Sequence, residues 1–444
     1  MSKAALLKKV SVSLFLLVVI GFGVTAGGAL AGPTIEAYEV YVKPIVDQQY
    51  FQVTMSIKLT ADSIPDTLSL TQNSYIRILG IRLIGSGEPI DLNFLQKEPD
   101  TLDIFGFDIS SVPRSITLEM AFAVPVGPFN TDFKIVNTGH GWFPRLPGQA
   151  ARVKVTADVP PKIRFISVGD LIDEQTSDTL TRVSFESRLP VRDIPLIFLD
   201  AERYKETVGY AGEVKIQLLV ANIAKGIADD VMARCGDVTE YFDNIIGPYF
   251  QKQVTIVEVP GVKRVDIAGG LIMMGSIFLH EAKSHKYDVL DMALARLWFG
   301  GAVNSAHGEK AALFFTTSVP HYLRLMYTRE TEGDEVFKQK MQRLLGPYVD
   351  IAGTPLDMPI LEIRDIDSRE KGRAIFGKGP FVVDRLVKQI GSDNWVKMIH
   401  HIYRDFKGSN FTYDNFIYYL SWYDPDGTTV AMVEGMLSMS GLPE

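Results

Sequence analysis

From about residue 33 to residue 200, apolar and polar positions alternate with a period of two. The runs Ile35-Glu36-Ala37-Tyr38-Glu39-Val40-Tyr41-Val42, Tyr50-Phe51-Gln52-Val53-Thr54-Met55-Ser56-Ile57 and Val153-Lys154-Val155-Thr156-Ala157-Asp158-Val159 carry the pattern, and Arg182-Val183-Ser184-Phe185-Glu186 repeats it. β-branched and aromatic residues at that period predict half-buried strands. Pro and Gly break the runs at short intervals, as at 125–128 and 144–148, which predicts an antiparallel sandwich or saddle. After about Lys205 the period lengthens. Strands are expected at Val214–Val220 and 254–259. Helices are expected at 222–246, 288–303, 309–327, 334–345, 378–390 and 393–406, where apolar residues recur at three and four. The expected class is α+β: an N-terminal β domain over 32–205, then a mainly helical domain with a small sheet over 206–444.

The stretch 288–303 is the most informative. Asp288 stands where an N-cap belongs and Asp291 at N3, an acidic variant of the capping box. Val289, Leu290, Met292, Ala293, Leu294, Ala295, Leu297, Trp298 and Phe299 are apolar on nearly every face before Gly300-Gly301 ends the run. A helix this apolar all round is buried. Its single charge past the first turn is Arg296.

The N-terminus adds an address. Lys3, Lys8 and Lys9 precede the apolar stretch 10–24, and Ala29-Leu30-Ala31 offers a cleavage site, so 1–31 reads as a signal peptide and the protein as exported. An uncut anchor through 10–31 is the alternative, because the span reaches the about 20 residues a bilayer requires. Without that segment the chain holds 42 basic against 53 acidic residues, which disfavours nucleic acid or an anionic membrane surface as partner. With 444 residues and 46% hydrophobic content, the remainder is long and apolar enough for two folded domains.

Chemistry is constrained by scarcity. One cysteine, Cys235, excludes an intramolecular disulfide and a thiolate-rich zinc site. Seven histidines remain: His140, His280, His285, His307, His321, His400 and His401. His280-Glu281-Ala282-Lys283-Ser284-His285 has one residue too many for a zinc-protease signature, since five residues on a helix turn about 500° and put the rings about 140° apart. It reads as a surface cluster with Asp288. His400-His401 fall on an amphipathic helix and read as surface residues. There is no G-x-S-x-G nucleophile motif, and Gly269-Gly270 lacks the strand-then-helix context of a phosphate loop.

A set of short motifs supplies a resemblance. Trp142-Phe143-Pro144, Tyr241-Phe242 with Gly247-Pro248-Tyr249, Val257-Glu258-Val259-Pro260, the Gly-rich stretch 269–275, Trp298-Phe299-Gly300, Phe376-Gly377-Lys378-Gly379 and Gly441-Leu442-Pro443 stand in order. In this order and at these spacings the chain resembles the zinc aminopeptidases of the membrane alanyl aminopeptidase type, a gluzincin fold. That resemblance implies a saddle-like β domain followed by a thermolysin-like domain ending near Pro443. It also implies zinc held by two His of an H-E-x-x-H helix and a Glu on the next helix, with the motif's Glu as general base.

Carried onto this sequence, the family's chemical positions are all substituted. Anchored on Trp298-Phe299-Gly300, the first His position is Met292, the general base is Ala293 and the second His is Arg296. The third ligand falls on Thr317, or on Phe315 in the other register. The Glu that receives the substrate's amino group falls on Ile272, and the oxyanion-stabilising Tyr on Phe376, which keeps the ring without the donor. The expectation is therefore a fold without its zinc or hydrolysis, with no cofactor, binding a peptide or protein through the former cleft. Gly269, Gly270, Ile272, Met273, Arg296 and His321 are the cleft candidates, with Ile272 and Met273 on an edge strand that a peptide backbone would pair with. Arg296 is expected either to receive a peptide carboxylate or carbonyl or, as the favoured reading, to pair with an acid as an internal cross-link. Two alternatives stand: a divergent metallohydrolase using His280, Glu281 and His285 with Asp288 or His321, and a structural envelope or assembly protein.

Overall fold

The computed structural model describes residues 32–61, 66–85, 88–107, 115–126, 133–136, 141–305 and 308–442. The signal-peptide or anchor reading, His140, His307 and Pro443 lie outside those residues.

The alternating half folds as β structure. Its strands are β1 (Thr34–Ile45), β2 (Tyr50–Thr60), β3 (Thr67–Thr71), β4 (Arg77–Ile84), β5 (Ile90–Asp91), β6 (Asn93–Lys97) and β7 (Thr101–Phe105). They continue with β8 (Ser115–Pro125), β9 (Phe133–Val136), β10 (Arg152–Val159), β11 (Ile163–Ile166), β12 (Asp170–Thr176), β13 (Thr181–Glu186) and β14 (Leu196–Asp200). The main sheet runs β12-β13-β10-β1-β2-β8-β4-β5, with the sheets β11-β14-β9 and β3-β7-β6 beside it. The period-two pattern has a direct cause here: along β2, Phe51, Val53, Met55, Ile57 and Leu59 all face the core.

The second half opens with β15 (Lys205–Ala211) and β16 (Val214–Val220), crosses over through α1 (Lys225–Ile245), and returns through β17 (Gln253–Val259), β18 (Val265–Ala268) and β19 (Leu271–Gly275). The sheet order is β15-β16-β17-β19-β18. Then come α2 (Ser276–His280), α3 (Asp288–Ala295), α4 (Val319–Glu332), α5 (Asp334–Val349), α6 (Arg369–Arg373), α7 (Gly379–Ile390), α8 (Ser392–Phe406), α9 (Tyr413–Ser421) and α10 (Thr428–Ser438). Two π-helical turns, Phe314–Ser318 and Ala374–Lys378, lead directly into α4 and α7.

The central strands β16, β17 and β19 of the five-stranded sheet are buried on both faces. Ile216, Leu218, Ile256, Ile272 and Met274 pack into the core formed with the helices. Leu219, Val257, Val259, Leu271 and Met273 pack from the opposite face into the core of the β half. That is why β19 reads as a continuous apolar run, and why even Gln253, Thr255 and Glu258 of β17 are buried.

Three expectations are corrected. The helix predicted over 288–303 ends at Ala295; Leu297 N–H then bonds Leu294 O at 2.9 Å and Trp298 N–H bonds Ala295 O at 3.2 Å, a tightened turn before Gly300 at φ 117°. Neither aspartate caps it. Tyr287 holds the N-cap position, Asp288 opens the helix, and both carboxylates go to arginines instead. Finally, α9 and α10 were not foreseen: Thr412 and Asn415 form a capping box for α9, with Asn where the usual signal is Glu or Gln.

Candidate functional site

The residues that the resemblance assigns to metal chemistry are brought together around α3 and the two π turns. Met292 and Arg296 lie one helical turn apart, with Arg296 N–H bonded to Met292 O at 3.0 Å. Both side chains are half-buried, whereas Ala293, at the general-base position, is fully buried. In the first π turn, Thr317 is buried, and Phe315 is turned into an aromatic cluster with Phe411 and Phe416 at centroid distances of 5.0 and 5.3 Å. Phe376 belongs to the second π turn and is 37% exposed. The turns are locked together, since Ser318 Oγ donates to Ile375 O at 2.7 Å and a Cβ on Gly379 would fall 2.0 Å from that Oγ. A π turn inserts one residue into a helix and is enriched at functional sites.

His321, one turn into α4, stacks edge-on against Phe376 with ring centroids 5.3 Å apart. Both its ring nitrogens are shielded from solvent and make no hydrogen bond, and neither does the buried Arg296 Nε. Burial and the fields of Arg324 and Arg296 push the His321 imidazole down to about 3, against the opposing field of Asp288. Burial likewise lowers the Arg296 pKa, only partly offset by Asp266. Asp266 is itself engaged by Arg264 at 2.8 Å.

Arg296 makes no ion pair among the described residues, so the favoured expectation for it is corrected. The cross-links fall elsewhere. Arg234 on α1 clasps Asp291 with Nε–Oδ1 2.9 Å and Nη2–Oδ2 2.6 Å, and its guanidinium lies over the rings of Tyr327 and Tyr287 at 4.5 and 5.1 Å. Arg324 on α4 sits 2.6 Å from Asp288, which Lys340 on α5 approaches at 3.1 Å. Four helices are tied by these contacts. Neither Arg234 nor Arg324 was singled out by the sequence reading; the signal that would have found them is an acid on an otherwise apolar helix face, since a buried carboxylate requires a cation.

The remaining candidates serve the fold. Gly269 and Gly270, at φ 44° and 88°, form the two-residue turn joining β18 to β19, and positive φ at both central positions is what a type I′ hairpin turn demands. A Cβ on Gly269 would meet Val191 at 2.7 Å and one on Gly270 the Gln251 amide at 2.0 Å. Ile272 and Met273 are buried, and the edge-strand reading is corrected: β19 is hydrogen-bonded on both sides, and β18 is the outer strand. His280 ends α2, Glu281 opens a 3-10 turn and His285 is left-handed at φ 53°, so the pair does not lie on one helix. Among the described residues no group of three or more His, Cys, Asp or Glu is placed to hold a metal ion. His401 Nδ1 bonds Tyr423 OH at 3.1 Å while His400 is exposed. Cys235 is buried, and burial pushes its thiol pKa up.

A cavity of about 270 Å³ lies between β11–β13 and the edge of the second sheet, lined by Arg164, Phe165, Phe185, Glu206, Gln217 and Gln253 among others. Its polar floor is internally satisfied: Gln253 donates to Gln217 at 3.0 Å and Gln217 to Glu206 at 2.9 Å. The other region, where the unpartnered nitrogens of Arg296 and His321 coincide with positions that the resemblance assigns to the cleft, is the candidate site.

No family sequence model matches the chain, and no curated protein does. Solved structures do. The M1 zinc metallopeptidase of Deinococcus radiodurans, as a glutamate-to-alanine mutant, superposes with a TM-score of 0.74 over 93% of this chain and 96% of that one, at 14% identity. The same mutant bound to a Tyr-Ser-Ala substrate gives 0.73, and a two-domain M1 zinc metallopeptidase mutant bound to L-arginine gives 0.75, both at 14% identity and the same coverage. The chain has the two-domain M1 metallopeptidase fold. Among the described residues no helix is long and apolar enough to cross a membrane.

The solved structures of this fold named above are zinc enzymes, and the side chains at the positions that the resemblance assigns to the metal, Met292, Arg296 and Thr317, do not suit zinc. A thioether, a guanidinium and a hydroxyl stand where the resemblance would place two imidazoles and a carboxylate, and the cationic Arg296 would oppose a divalent cation beside it.

Proposed function

We propose that this is an exported protein of M1 metallopeptidase fold without metallopeptidase activity, which binds a peptide or protein ligand in the former substrate cleft. The observation that supports it most is the state of Arg296. In this chain α3 and both π turns are formed, yet the position that the resemblance assigns to a zinc-binding imidazole carries a guanidinium with no ion-pair partner among the described residues. A half-buried cation without a partner is costly where only structure is at stake, and is explained where a ligand supplies the partner. The test is elemental analysis of the purified protein together with an assay on aminoacyl arylamides. Substoichiometric zinc and no chelator-sensitive cleavage are expected. One zinc per chain with chelator-sensitive cleavage would overturn the proposal.

A further inference from the structure

We propose that the cleft recognises a carboxylate: its ligand is a peptide bearing a free C-terminus or an acidic side chain, taken up by Arg296 and His321 beside the exposed ring of Phe376. The inference rests on the peptide-binding reading above and names the chemistry of its ligand. Three atoms carry it. Arg296 Nε and both ring nitrogens of His321 are shielded, polar and unpartnered, at the C-terminal end of α3 and in the first turn of α4, two helices in contact. Buried polar groups left without partners point to an ion, a water or a ligand that completes them.

The sign of the missing partner follows from the surrounding charges. The acids nearest the pair are committed elsewhere: Asp288 to Arg324 and Lys340, Asp291 to Arg234, and Asp266 to Arg264. Arg296 is not neutralised, and its field and that of Arg324 both fall on His321. An anion is the complement to that field, and a planar carboxylate matches the donor fork of a guanidinium. Neutral His321 offers one N–H to the same group. At the amine-recognising position the chain carries buried Ile272, so nothing there favours a cationic N-terminus. The half-buried Met292 and the exposed face of Phe376 supply an apolar wall for the residue next to the carboxylate.

The experiment is calorimetric titration of the full chain with three probes: acetyl-Ala-Phe-Ala as free acid, its C-terminal amide, and acetyl-Ala-Glu-Ala amide. The free acid is expected to bind at least tenfold more tightly than its amide, and the Glu peptide reports whether a side-chain carboxylate suffices. In Arg296→Gln the preference for acid over amide should collapse towards one, while Arg296→Lys retains part of it; His321→Gln should weaken the acid several-fold and leave the amide unchanged. Thermal unfolding of Arg296→Gln at or above the parent temperature shows that the variant is folded, and Arg296→Lys carries the test if it is not. Equal binding of acid and amide, or a preference unchanged in both Arg296 variants, overturns the carboxylate inference and leaves the peptide-binding reading standing. Absence of binding by all three probes to millimolar concentration overturns both.

Discussion

At the scale of single residues, the two half-buried arginines at α3 should respond in opposite ways to the same substitution. Arg234 answers Asp291 through two short hydrogen bonds, so Arg234→Met strands a carboxylate that is almost wholly buried and should cost about 3–5 kcal/mol. Arg296 answers nothing, so Arg296→Met removes an uncompensated charge and should stabilise the free protein by about 1 kcal/mol or more. Urea unfolding of the two variants beside the parent checks both signs, and loss of stability in Arg296→Met would mean that a partner exists in solution. His321 adds a pH signature. Its folded pKa of about 3 lies below the unfolded value of roughly 6.5, so between these limits the unfolded chain binds more protons and acid favours unfolding. Stability should therefore fall as the pH drops from about 6.5 to 5, above the range where carboxylates titrate. His321→Leu should flatten that slope in melting curves taken across the interval.

At the scale of elements, what was legible in the sequence was whatever local chemistry fixes locally. The β half was legible because its long strands β1, β2 and β8 have one face in the core, and α1, α5, α7 and α8 because their apolar faces recur at the helical period. The end of α3 was not. Its apolar run continues through Phe299, and only the geometry of the turn, with Gly300 in a left-handed conformation, shows where the hydrogen bonding stops. The π turns at Phe314–Ser318 and Ala374–Lys378 were illegible for a related reason, since one inserted residue leaves the apolar periodicity nearly intact while it rotates the positions that carry chemistry. The cross-links around α3 were not legible, because an ion pair such as Asp288 with Arg324 joins segments whose adjacency no local pattern encodes. Gly269-Gly270 was visible as a motif, but its role as a hairpin turn follows from the two positive φ angles. Gly270→Ala forces a Cβ onto the Gln251 amide and into a left-handed backbone, and should cost about 1–3 kcal/mol in thermal or urea unfolding. Thr412→Ala removes the capping box of α9 and should cost about 1 kcal/mol, with faster amide exchange in the first turn of that helix.

At the scale of the whole molecule, the five-stranded sheet belongs to both halves, and this decides how the chain unfolds. Leu219, Val257, Val259, Leu271 and Met273 project from its face into the core of the β half, where the turn at Gly269 also packs against Val168 and Val191. Backbone bonds reinforce the junction, with Gly169 N–H on Gly269 O at 3.1 Å and Lys252 N–H on Asp170 Oδ1 at 2.9 Å. Separating the halves would expose a contiguous apolar surface, and at roughly 25 cal/mol per Å² its burial couples the two cores. The intact protein should then unfold in one calorimetric transition despite its two-domain plan, and substitutions in β12 or β19 should shift that single transition rather than split it. A fragment of residues 206–444 expressed alone should bind a hydrophobic dye and aggregate. Replacing Val257, Val259 and Met273 together by polar residues should restore solubility to the fragment while destabilising the full chain. Two separate transitions in the parent, or a soluble, dye-negative fragment without the replacements, would mean that the shared sheet does not couple the halves.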